Sequence, residues 1–240
     1  MDRFIATAKV GDTLIIEGDE LKHIFAKRVK IGQELELFFE DKLYLCLLEK
    51  LSQKSAFCIV IKEIELATPL PFITLYQCVP VELRTMDFIV EKVSEVGAFR
   101  LVPTLSRRSF QDIPTINKRM ERWKRVALSA FKQCKRPRPL EIAPPTKLEE
   151  LRADHDLNLL LDNFGGEKNP KDLNLKGLKT VSLVVGPEGG FTRQESELLR
   201  ERGFIPVKLY PYILRSETAA LLGVGLIMNL STPPQSTCQQ

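Results

Sequence analysis

From Phe72 onward, short runs of β-branched and aliphatic residues alternate with longer amphipathic segments. That alternation restricts this part of the chain to an α/β architecture, in which parallel strands are joined by helices. Strands are expected at Phe72 to Val79, Arg100 to Leu105, Leu157 to Asp162, Val181 to Val185 and Phe204 to Leu209. Helices are expected at Thr85 to Val96, Asn117 to Cys134, Leu148 to Ala153 and Arg193 to Arg202, with an apolar helix from Glu217 to Leu230 closing the series. Residues 1–68 have a different texture. Strands at Leu14 to Glu17, Glu34 to Phe39, Leu43 to Lys50 and Ala56 to Ile64, with one helix from Glu20 to Val29, predict a small β-barrel. Thr68-Pro69-Leu70-Pro71 marks the boundary, because prolines so close together end both helices and central strands.

The stretch with most chemical content is Val181 to Glu195. An apolar strand stops at Gly186-Pro187-Glu188-Gly189-Gly190, and Thr192 with Glu195 has the spacing of a capping box opening the next helix, which Gly203 ends. Three glycines in five residues let backbone N–H and C=O groups approach a ligand, and the end of a strand in an open α/β sheet is a usual ligand position. The spacing is neither the dinucleotide Gly-x-Gly-x-x-Gly nor a loop followed by Gly-Lys-Ser/Thr, which disfavours a phosphate cradle. A tight structural turn would use the same residues. A second strand-to-helix junction follows at Tyr210 to Ala220, with Arg215 and Glu217 at the mouth of the last helix. Two neighbouring loops of this kind form a cleft; the charged pair also suits a plain cap and salt bridge.

Charge is concentrated in one segment. Between Arg100 and Arg138 twelve Lys and Arg face only Asp112 and Glu121, a net of +10 in a chain whose total is +4, so the remainder carries −6. In the central helix Lys118, Arg122, Arg125 and Lys132 recur on one face, and Met120, Trp123, Ala127, Ala130, Phe131 and Cys134 on another. With Arg107 and Arg108 before the helix and Lys135, Arg136 and Arg138 after it, this reads as a phosphate-backbone track, though a solvated basic face would look the same.

Other classes are less favoured. No apolar run reaches membrane-spanning length and the opening residues do not resemble a signal peptide, so a cytoplasmic location is expected. The five cysteines (46, 58, 78, 134 and 238) show no Cys-x-x-Cys pairing and the histidines are only His23 and His155, so no metal site and no disulfide framework are expected. The polar tail, residues 233–240, reads as disordered.

Gly186-Pro187-Glu188-Gly189-Gly190 followed by Ile213-Leu214-Arg215-Ser216-Glu217-Thr218-Ala219 resembles the paired C-terminal signatures of the SPOUT methyltransferases, in particular the RsmE type, the 16S ribosomal RNA uridine-N3-methyltransferases. The segment from Met86 to Gly97 resembles that family's Gln-Lys-x-x-Glu-Leu-Gly helix, and Pro103, Arg108, Ser109, Trp123, Gln133 and Arg136 also match, so the likeness covers nearly the whole chain. It implies a trefoil-knotted parallel sheet over 72–232, a PUA-like RNA-binding barrel over 1–68 in which His23, Arg28 and Gly32 match, a homodimer through the last helix, and S-adenosylmethionine as cofactor. The cofactor is expected against Leu161, Asp162, Gly186, Pro187, Glu188, Gly189, Gly190, Leu209, Tyr210, Tyr212, Ile213 and Leu214. Arg215, Glu217 and Glu188 are the candidate catalytic groups. RNA is expected on Arg28, Arg107, Arg108, Arg122, Arg125, Lys132 and Arg136, with Arg107 and Arg108 acting on RNA and not on the cofactor. The substrate implied is a uridine of small-subunit ribosomal RNA within the assembled 30S subunit. The absence of a Pro-Cys pair agrees with a nitrogen target, since C5 methylation needs a thiolate. Tyr212 stands where the family carries an arginine, which keeps a non-catalytic RNA-binding protein open as an alternative, with a nucleotide-dependent oxidoreductase further behind.

Overall fold

The computed structural model describes residues 1–162, 168–209 and 212–231, which fall into two compact units. The first comprises Met1–Thr68 together with Lys132–Arg138. Its sheet joins β1 (Arg3–Ile5), β2 (Ala8–Val10), β3 (Thr13–Ile16), β4 (Glu34–Phe39), β5 (Lys42–Leu51) and β6 (Ala56–Ile64) in the order β1-β4-β5-β6-β3-β2, with α1 (Gly18–Ala26) between β3 and β4. All pairs are antiparallel except β1 with β4. Alternation decides which side is buried: Leu14, Ile16, Leu35, Leu37, Cys46, Leu48 and Cys58 close over Leu21 and Ile24 of α1. β1 and β2, three residues each, are too short to produce a periodic signal and were not foreseen. Arg3 on β1 lies opposite Glu36 on β4 and pairs with it at 2.8 Å, and its guanidinium also donates to the Arg136 carbonyl at 2.6 Å.

The second unit is Pro69–Phe131 with Pro139 onward. In chain order it contains β7 (Phe72–Cys78), α2 (Leu83–Glu95), β8 (Arg100–Leu105), α3 (Ile113–Cys134, whose last residues group with the first unit), β9 (Glu141–Ile142) and β10 (Thr146–Lys147). β11 (Leu157–Leu161), β12 (Thr180–Val185), α4 (Arg193–Glu201), β13 (Ile205–Val207) and α5 (Ser216–Ser231) complete it. The sheet runs β10-β8-β7-β12-β11-β13, with β9 also on β8, and every pairing is parallel. Both faces are covered, which explains why the strands read as nearly continuous apolar runs. Val181, Leu183 and Val185 of β12 point to a core shared with α2, α3 and α5, while Val184 packs with Phe191, Leu199 and Phe204 on the α4 side.

Three expectations need correction. The helix expected from Leu148 to Ala153 is a single 3-10 turn, Leu148–Glu150, preceded by the two short strands β9 and β10. α3 begins at Ile113, four residues before the expected start, with Pro114 in the first turn, where a missing N–H costs nothing. Thr115 Oγ1 donates to Asp112 Oδ2 at 2.5 Å just before it. The strand expected over Phe204 to Leu209 shrinks to Ile205–Val207. Among the described residues no helix is long and apolar enough to cross a membrane.

Candidate active site

β12 ends in the middle of the sheet, flanked by β7 and β11, and its glycine loop emerges beside the ends of β11 and β13. A cleft of about 200 Å³ lies there, lined by Leu161, Asp162, Val185, Gly186, Pro187, Glu188, Gly189, Gly190, Phe191, Val207, Leu209, Tyr212, Ile213, Leu214, Ser216 and Ala219. Every residue expected against the cofactor is in this lining except Tyr210, which lies outside the described residues.

The loop is held from three directions. Behind it, the Ser216 hydroxyl donates to the Gly186 carbonyl at 2.6 Å and accepts from Gln77 Nε2 at 2.9 Å, so the end of β7, the glycine loop and the first residue of α5 are joined by one buried chain of hydrogen bonds. At one side, the Glu188 carboxylate accepts from the Val81 backbone N–H at 3.1 Å, tying the loop to the turn after β7. In front, Arg108 Nη1 donates to the Gly189 carbonyl at 2.7 Å. Inside the loop, the Gly190 N–H donates to the Pro187 carbonyl at 2.9 Å and Gly190 takes φ +64°, a turn that favours glycine.

α4 starts from the expected capping box. Thr192 Oγ1 accepts from the Glu195 N–H at 3.2 Å while the Glu195 carboxylate accepts from the Thr192 N–H at 2.8 Å. Glu195 is buried and its other oxygen accepts from the Arg107 N–H at 2.7 Å, so the same carboxylate anchors the loop between β8 and α3. At the floor of the cleft, Asp162 is buried, with its carboxylate accepting from the Ser196 hydroxyl and standing 3.4 Å from Arg200 Nη2.

The proposed catalytic groups divide. Glu188 lines the cleft, and one of its carboxylate oxygens, Oε2, accepts from the Val81 N–H. Arg215 is exposed and Glu217 half-buried at the start of α5; neither side chain lines the cleft or makes a hydrogen bond or ion pair among the described residues. The Arg215 carbonyl accepts from the Ala219 N–H at 2.8 Å, which opens the helix.

Lys118, Arg122, Arg125 and Lys132 all lie on the continuous helix α3, but several of the basic residues are engaged by neighbours. Arg122 Nε pairs with Asp87 at 2.7 Å, and the same carboxylate accepts from the Trp123 indole at 3.1 Å. Arg125 is exposed with Nε 3.4 Å from the Glu121 carbonyl, and Arg107 Nη1 donates to Gln194 Oε1 at 2.7 Å. Lys132 departs most from expectation: its ammonium bonds both Glu20 oxygens, at 2.8 and 3.0 Å, in the first unit. A lysine carrying that pair at 17% exposure is not an open charge. Arg136 is half-buried, and burial lowers its pKa from the usual arginine range. Arg28, exposed at φ +55°, follows α1 in the first unit.

No thiol is poised for covalent chemistry in the second unit's sheet. Cys78 is buried at the end of β7, and burial pushes its pKa up to about 12, as it does for Cys46 and Cys58 in the first unit. Among the described residues no cluster of His, Cys, Asp and Glu comes together to hold a metal ion.

Gln77 and Ser216 were missed from sequence. Ser216 sits inside the signature but looks like a spacer between two charged residues. Gln77, a polar residue near the end of a mostly apolar strand, was the available signal.

Residues 68–228 match the RNA methyltransferase domain family. The chain is 42% identical over 229 residues to ribosomal RNA small subunit methyltransferase E of Aquifex aeolicus, covering 95% of this chain and 100% of that protein. The fold is similar to that of a putative methyltransferase from Legionella pneumophila solved with S-adenosylmethionine, with TM-score 0.86 and 25% identity over 96% of this chain and 98% of that one. It is also similar to ribosomal RNA small subunit methyltransferase E of Neisseria gonorrhoeae bound to S-adenosylmethionine, with TM-score 0.84, 26% identity and the same coverage. Family, fold and the strand-end glycine cleft agree, and the chain belongs to the ribosomal RNA small subunit methyltransferase E family of RNA methyltransferases.

Proposed function

We propose that this protein transfers a methyl group from S-adenosylmethionine to N3 of a uridine in small-subunit ribosomal RNA, acting on the assembled subunit. The observation that carries the reading is the glycine-loop cleft at the ends of β11, β12 and β13 in a chain of this family. Its residues fit the cofactor. Apolar walls from Leu161, Leu209, Leu214 and Ala219 suit a flat base, and the loop's backbone groups can read its edge. When bound, the cofactor supplies an electrophilic methyl on a sulfonium.

The chain's own residues have the remaining tasks. Uridine N3 carries a proton, so the base has to be held away from its pairing partner and deprotonated before the nitrogen lone pair can attack; positioning and charge stabilisation account for most of such an acceleration. Arg215, exposed and without an ion-pair partner among the described residues, serves to stabilise negative charge spreading onto the uracil oxygens. Glu217, two residues on, is the candidate to take the N3 proton. Glu188 is assigned a bracing role, because its Oε2 accepts from the Val81 N–H and ties the loop to the turn after β7. The apolar outer positions of α5, including Leu222 and Leu230, are proposed to be covered by a second copy of the chain, and the N-terminal sheet to enlarge the RNA footprint.

The test is transfer of labelled methyl from S-adenosylmethionine to purified small subunits lacking the modification. Label recovered in the RNA supports the reading. No label, with the cofactor bound normally, would favour a non-catalytic RNA-binding protein.

A further inference from the structure

Arg108 connects two parts of the molecule that the sequence treats as separate. It belongs to the basic loop between β8 and α3, yet its Nη1 donates to the Gly189 carbonyl at 2.7 Å and lies 3.5 Å from the Phe191 carbonyl. Its aliphatic stem lies against the glycine loop: a Cβ built on Gly189 would come within 3.2 Å of Arg108 Cδ. Gly189 has no positive φ to demand glycine, so the close approach of this stem is what its missing side chain accommodates.

Only one terminal nitrogen of the guanidinium is spent. Nε and Nη2 make no hydrogen bond with any described residue, and Arg108 is exposed. A guanidinium is a planar fork of five N–H donors, and the Nε/Nη2 edge is suited to take two oxygens of one phosphate while Nη1 stays on a carbonyl. Neighbouring Arg107 lacks this arrangement, since its side chain reaches Gln194 on α4 and not the glycine loop.

We propose that Arg108 is a positioning residue that couples RNA engagement to the cofactor cleft, by bridging an RNA phosphate and the Gly189 carbonyl with one guanidinium. The proposal rests on the methyltransferase reading above, and it replaces the expectation that Arg108 acts on RNA alone. A phosphate on the free edge holds the planar group in place and makes the glycine loop more rigid, so the cofactor binds more tightly to the RNA-bound protein. By linkage, RNA binds more tightly to the cofactor-bound protein by the same factor. Lysine cannot substitute, because a single ammonium is a point charge without two opposed edges.

The experiment measures binding, without turnover. S-adenosylhomocysteine affinity is determined by equilibrium dialysis with the full chain, alone and with saturating unmodified small subunits. The wild type is expected to gain roughly 5-fold or more. Arg108→Lys is expected to keep measurable affinity but lose the gain, whereas Arg107→Ala, which removes the same charge from the same loop, keeps the gain once subunits saturate. Melting curves establish that each variant is folded, and amide exchange of residues 186–190 should slow on subunit binding in the wild type and not in Arg108→Lys. A wild type with equal affinity in both conditions, or an Arg108→Lys variant that retains the gain, overturns the proposal and leaves the methyltransferase reading standing. A wild type that binds no cofactor analogue in either condition overturns both.

Discussion

Substituting Gly186 and Gly189 of the loop by alanine, one at a time, should give unequal results, and the inequality follows from what each new Cβ would meet. At Gly186 it would stand 3.2 Å from Phe191 Cε2 and 3.3 Å from the Gly190 Cα. Neither can retreat. Phe191 is buried against Val184 and Leu199, and Gly190 is fixed by its turn bond to Pro187. At Gly189 the nearest atom, also at 3.2 Å, is Arg108 Cδ on an exposed flexible side chain. Overpacking against rigid neighbours costs about 1–3 kcal/mol. If binding requires the native loop, that range corresponds to a loss of about 5- to 150-fold in cofactor affinity for Gly186→Ala. Gly189→Ala should stay within about 3-fold, the scale of an accommodated surface change. Isothermal titration of both variants with S-adenosylmethionine, beside their melting curves, measures the difference. Gly186→Ala binding within 2-fold of wild type, or Gly189→Ala losing more than Gly186→Ala, would refute the argument that the loop's rigid closure shapes the cleft.

Ser216→Ala removes the donor to the Gly186 carbonyl and one acceptor of Gln77, and leaving that buried carbonyl unpaired should cost about 2 kcal/mol, read as a fall of roughly 4–8 °C in the melting of the second unit; a change under 1 °C contradicts the network's role. Gly223→Val places a Cβ 2.8 Å from Leu183 Cδ2 and 3.1 Å from Leu161 Cδ1, so it should lower the melting point and, through Leu161, weaken cofactor binding, whereas an unchanged protein would mean that α5 does not lie flush on the sheet. The thiols of Cys46, Cys58 and Cys78 are pushed up to about 12 by burial, so at pH 8 they are protonated as well as covered and should resist a disulfide reagent until the protein unfolds; rapid labelling of any of them in the native state contradicts the packing.

Much of the sheet was legible because fully buried parallel strands write themselves as apolar runs, and β8 agrees with its expected bounds residue for residue. The glycine loop and the capping box were legible for a related reason: turn and cap chemistry depends on a few residues at fixed spacing, as Thr192 and Glu195 illustrate. What was not legible depends on contacts distant in sequence. β1 exists because β4 offers an edge some thirty residues away, and nothing local to Arg3–Ile5 signals it. Lys132 looks like one more charge on a basic face until Glu20 is brought beside it. Gln77 and Ser216 are separated by 139 positions, and Arg108 and Gly189 by 81, so neither pair has a sequence spacing to recognise. The cleft's wall was therefore readable and its supports were not.

The most direct test of the central claim is nucleoside mass spectrometry of small-subunit ribosomal RNA from cells with the gene intact, deleted, and restored with either wild type or Arg215→Ala. The account predicts that N3-methyluridine alone disappears on deletion, returns with the wild type, and does not return at normal level with Arg215→Ala. An unchanged profile on deletion, or loss of a different methylated nucleoside, would contradict it.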